Sequence, residues 1–102
     1  MMVVLLTGSV WLLTAGAMAS DAPVVYKSKC VSCHAADGTG SPVGKKMGAR
    51  DFHDPEVVKL TDQQLNDAIT KGQKKMPAYS GKLTADQIKD LVAFIRDLQK
   101  KK

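Results

Sequence analysis

Cysteine is scarce in this chain, with Cys30 and Cys33 the only two. A structural zinc site wants four nitrogen or sulfur ligands at finger-like spacing, and His34 and His53 do not complete such a set. Strand-like alternation is missing too, which excludes the βαβ setting of a thioredoxin-like Cys pair. Arginine is rare: 13 of the 15 basic residues are Lys. Lysine gives solvated, mobile positive charge rather than bidentate phosphate reading, and no aromatic platform accompanies it, so nucleic acid is a poor partner for the net charge of +5. No charged residue precedes Asp21, so that charge lies wholly beyond the N-terminal stretch.

What is present centres on Cys30-Val31-Ser32-Cys33-His34. On one helical turn, residues three apart share a face, so two thiols can reach the two vinyl groups on adjacent edges of a porphyrin. The following His34 is then turned toward the iron, and the five residues read as the covalent attachment site of a c-type haem. One iron position remains to be filled from elsewhere in the chain.

Residues 3–13 form an apolar run too short to span a bilayer comfortably, followed by Ala17-Met18-Ala19 at a signal-peptidase-like position. We therefore expect a signal peptide over residues 1–19 and a domain over 20–102, which is 102 − 19 = 83 residues. No Lys or Arg precedes the apolar run, and an uncleaved anchor is the alternative. Export suits a CxxCH segment, and thioethers would leave no Cys for a disulfide. A domain of this size buries a small core on its own, and haem would enlarge it.

In order, Asp21-Ala22-Pro23 predicts a helix start running to about Cys33. Residues 35–44 hold three Gly and a Pro and predict a loop, with the Pro42 carbonyl as candidate acceptor for the free ring N–H of His34. Asp54-Pro55-Glu56 opens a short helix. Thr61-Asp62-Gln63-Gln64 and Thr84-Ala85-Asp86-Gln87 are capping boxes for two further helices, the first ended by Gly72, the second carrying Ile88, Leu91, Val92, Ile95 and Leu98 at helical spacing. Between them Pro77 pushes Met76 into extended backbone, so its side chain can point inward. Met47 and His53 are the other candidates for the sixth iron position. Their ordinary roles would be gap-filling against haem and a surface histidine near a helix cap.

The chain resembles the small class I c-type cytochromes of bacteria, and most of all the cytochrome c6/c553 type. The residues that carry the likeness are Ala22, Tyr26 and the CxxCH on the first helix, the Gly/Pro loop with Pro42, Lys75-Met76-Pro77-Ala78-Tyr79, and Leu91-Val92-Ala93-Phe94-Ile95 on the last helix. The resemblance implies an all-α small cytochrome c fold, three to five helices around one covalently bound haem c. It implies that Ala22 and Tyr26 cross Leu91 and Phe94, and that the iron ligands are His34 and Met76. Trp11 falls in the leader, so Tyr79 would replace the Trp found near a haem propionate in some relatives.

These readings give a monomeric periplasmic monohaem electron carrier rather than an enzyme, bound to Cys30 and Cys33, with no membrane insertion of the domain. His/Met ligation fills both iron positions and raises the potential relative to two imidazoles. Lys45, Lys46, Lys74, Lys75 and Lys82 would steer redox partners with acidic docking surfaces onto the haem edge. The rival readings are a peroxidase-like haem enzyme and a gas-binding sensor, both of which need an open or labile sixth position.

Overall fold

The computed structural model describes Gly8 and residues 21–101; the leader assigned to residues 1–19, with Trp11, otherwise lies outside the described residues. The described residues form six helical segments in the order α1 (Ala22–Lys29), α2 (Val31–His34), α3 (Pro42–Lys46), α4 (Pro55–Val58), α5 (Asp62–Lys71) and α6 (Ala85–Lys100). No named strand occurs among them, and no helix there is long and apolar enough to cross a membrane.

The frame is the crossing of α1 over α6. Ala22, Tyr26 and Leu91 are all almost fully buried, and the Tyr26 and Phe94 rings meet at 4.9 Å between centroids. The small Ala22 side chain lets the helices approach, and burial of each large apolar side chain contributes about 1.5–3 kcal/mol. Along α6, Ile88, Leu91, Val92, Ile95 and Leu98 form the buried stripe, against which α5 lays Leu65 and Ile69. Both capping boxes form as expected: Thr61 and Thr84 accept from the amides of Gln64 and Gln87 at 3.1 Å, and each glutamine reaches back at 2.9 Å. Asp21 departs from its predicted role. It makes no side-chain cap bond, and its carboxylate accepts instead from Gln87 Nε2 at 3.3 Å, joining the starts of α1 and α6.

Two polar clamps close the far end. Arg96 on α6 donates to Asp62 at 2.9 Å, to the Val58 carbonyl at 3.2 Å and to the Leu60 carbonyl, fixing the α4–α5 link. His53 lies 2.7 Å from Asp51 through Nδ1, and its Nε2 meets the carbonyls of Leu98 and Lys101 at 2.8 and 2.7 Å. Asp51 and then the Lys101 carbonyl hold the His53 pKa above 6.5. A group whose folded pKa is raised contributes its stability below the unfolded pKa and loses it as pH rises through the folded one. The melting temperature should therefore fall as pH rises above about 6.5, and His53→Gln should flatten that slope in a thermal melt series from pH 5 to 8.

Candidate functional site: an apolar cleft behind the CxxCH turn

The chain breaks its first helix at Cys30, whose φ of −115° interrupts the ladder. The amides of Cys33 and His34 both turn back to the Cys30 carbonyl, at 3.2 and 2.9 Å. The result is a separate turn that carries both thiols and the imidazole. The predicted single helix to Cys33 is thus two segments with the motif at their junction.

The segment after His34 folds back to support it. Ala35 takes φ 62°, and its carbonyl accepts from the Tyr26 hydroxyl at 2.6 Å. Ser41 donates from its amide to Cys33 O at 2.9 Å, donates from its hydroxyl to Ser32 O at 2.6 Å, and accepts from the Gly44 amide as the cap of α3. This helix begins inside the stretch that the sequence predicts as loop and runs past its end. Its signal was Ser41 followed by Pro42, a cap with proline at the first helical position. The Gly44 Cα packs so close to the motif that a Cβ there would lie 1.8 Å from Cys33 O.

Cys30, Cys33, His34 and Met76 all line one cleft of about 390 Å³. Phe52, Val57, Leu60, Leu65, Ala68, Ile69 and Ile95 give it an apolar wall. An inner recess behind it is lined by His34, Met76, Tyr26, Ile69 and Leu91 among others. Met76 sits in a tight turn, its amide donating to Gln73 O at 2.7 Å and its carbonyl accepting from Gln73 N at 3.2 Å. Gly72 ends α5 at φ 74°, where a Cβ would meet the Met76 carbonyl at 2.6 Å. Only glycine lets that turn lie flat on the end of α5.

The other two sixth-position candidates separate on geometry. Met47 lines the outer cleft but not the inner recess and is partly exposed. His53 is outside the cleft lining, and both ring nitrogens are taken by Asp51 and the end of α6. The Pro42 carbonyl does not serve His34: the Nδ1 of His34 is buried with no hydrogen-bond partner. The Tyr79 hydroxyl, which the family resemblance would place near a haem propionate, donates to Lys29 O at 3.1 Å. Of the lysines expected at the rim, Lys74 and Lys75 line the cleft, while Lys45 and Lys46 stand exposed on α3 and Lys82 lies 5.9 Å over the Tyr79 ring. Arg50, which with Lys45 and Lys46 adds positive charge around Met47, also reaches the cleft, as does Lys29, which the sequence reading missed because it lies within the first helix.

The donor set fits a covalently held haem. His34 stacks on Phe52 at 4.7 Å, and burial pushes its pKa below 6.5, so the ring is neutral with a lone pair to give. Both cysteines are free, and burial pushes the Cys30 thiol up to about 11, so it is held as the thiol. Among the described residues no group of three or more His, Cys, Asp or Glu side chains could hold a metal ion by itself.

Comparison with known proteins agrees with this geometry. Residues 17–95 match the family described as cytochrome c oxidase, cbb3-type, subunit III. The solved KustC0563 c-type cytochrome superposes with a TM-score of 0.73 at 32% identity, covering 78% of this chain and 98% of that one. The chain belongs to this family and is a small class I c-type cytochrome. Its relatives include cytochrome c6 of Leptolyngbya boryana, 29% identical over 80 residues that cover 76% of this chain and 88% of the relative. Another is the cytochrome bc1 complex cytochrome c subunit of Corynebacterium efficiens, 30% identical over 71% of this chain. The cytochrome spans only 23% of that subunit's length. It is a monohaem electron-transfer cytochrome carrying covalent haem c.

Proposed function

We propose that this cytochrome is a periplasmic single-electron carrier whose haem is bound through Cys30 and Cys33, with His34 and Met76 as the two axial ligands. The observation that carries the reading is that all four side chains line one cleft, with His34 and Met76 meeting again in its inner recess. When bound, the haem supplies the one-electron chemistry. The protein's part is to hold the two ligands, exclude water with the walls from α5 and α6, and leave one edge open. Export through the leader and a monomeric state belong to the same proposal.

A peroxidase-like enzyme or a gas sensor would need Met76 away from the iron, whereas Met76 lines both the cleft and its inner recess together with His34. The ferric protein should show the weak near-infrared thioether-to-iron band, and Met76→Ala should abolish it. A high-spin ferric spectrum in the parent would sink the carrier reading in favour of an open site.

Lys74, Lys75, Lys29 and Arg50 around the cleft suit a partner with an acidic docking surface. Salt screens such attraction over about 10 Å at 0.1 M. Electron exchange with that partner should therefore slow as ionic strength rises; a salt-independent rate would remove the steering argument and leave the carrier role.

A further inference from the structure

We propose that the Tyr79 hydroxyl is a positioning group for Met76, tying the segment that carries this ligand to the end of α1, one residue before Cys30. The proposal rests on the assignment of Met76 to the iron and adds how the fold keeps it there.

The Tyr79 backbone belongs to the α5 side of the cleft. Its amide donates to Ile69 O at 3.0 Å, and the next amide, of Ser80, donates to Thr70 O at 3.1 Å. The side chain then crosses to the other side, where its hydroxyl donates to Lys29 O at 3.1 Å, fifty positions away in sequence. That carbonyl is free to accept because the helix breaks at Cys30: the Cys33 amide, which a continuous helix would direct to Lys29, bonds to Cys30 instead. Helices α1 and α5 each pack broadly on α6, so their main link runs around the back of the cleft. The Tyr79 bond joins them on the side where Met76 and Cys30 lie, and the ring itself lines both the cleft and the inner recess.

A hydroxyl placed this way resists separation of the Met76 segment from the CxxCH turn. Removing it leaves the ring packed and the turn at Gln73 intact, but the motion that takes the thioether off the iron becomes easier. An external ligand that competes with the thioether reads that opening directly, because its apparent affinity scales with the population of the open form.

The test compares imidazole binding to the ferric holoprotein in the parent, Tyr79→Phe and Thr84→Ala, with the near-infrared band recorded for each. Thr84 caps α6 and lies outside the cleft lining, so Thr84→Ala removes a hydrogen bond without touching the tie. We expect Tyr79→Phe to bind imidazole about fivefold more tightly, the size of one net hydrogen bond, while Thr84→Ala lowers the melting temperature with parental imidazole affinity. Parental affinity in Tyr79→Phe, or an equal gain in both variants, overturns the proposal while Met76 ligation stands. Absence of the near-infrared band from the parent overturns the Met76 assignment itself, and the positioning role with it.

Discussion

The Cys30→Ala, Cys33→Ala double variant should be largely unfolded, losing most of the helical circular-dichroism signal and the cooperative thermal transition of the parent. The cleft is not a side pocket of a finished core. Val57, Leu65, Ile69 and Ile95 are core residues and also its wall. Left empty, the cleft forfeits the packing of these side chains at a cost that grows with void volume, and a small domain has only about 5–15 kcal/mol to lose. Water in the cleft instead exposes the same apolar side chains, so either route removes the reason to fold. Acid–acetone extraction of the parent should leave the colour with the protein. A helical, cooperatively melting double variant without haem would show that the polypeptide builds its own core.

How far the sequence reached depends on whether each feature is set locally. The capping boxes at Thr61 and Thr84 and the stripe from Ile88 to Leu98 form as expected, because each needs only neighbours within a turn or a helix face. The crossing of Ala22 and Tyr26 with Leu91 and Phe94 came from family likeness, and the rings do meet. Features that depend on a distant backbone atom were not legible. His53 finds its partners 45 and 48 positions away, and nothing around Phe52 or Asp54 signals that. The tyrosine hydroxyls likewise take carbonyls freed by irregular backbone, at Lys29 beside the break at Cys30 and at Ala35 with its positive φ. The loop expected across residues 35–44 conceals the start of α3 because three glycines outweighed the cap signal at Ser41-Pro42.

Gly44→Ala should be severely destabilising, since among the described glycines a Cβ at Gly44 makes the shortest approach to another atom. On helix propensity alone the change would stabilise α3, by about 1 kcal/mol for an interior position. Sterics reverse the sign: the new Cβ would stand 1.8 Å from Cys33 O, 2.5 Å from Cys33 C and 2.8 Å from Cys33 Cα. All three are backbone atoms of the haem-attachment turn, so no side-chain rotation relieves the clash. Either α3 moves off, breaking the Ser41 bonds to Ser32 and Cys33, or the turn moves and carries His34 away from Phe52. We expect a loss of about 3 kcal/mol, the upper part of the range for overpacking. At about 4–8 °C per kcal/mol for a domain of this size, the melting temperature should fall by roughly 12–24 °C. Val43→Ala, on the same helix with an exposed side chain, controls for α3 itself and should stay within about 0.5 kcal/mol of the parent. A Gly44→Ala holoprotein that melts within a few degrees of the parent would mean that α3 does not press on the Cys33 backbone.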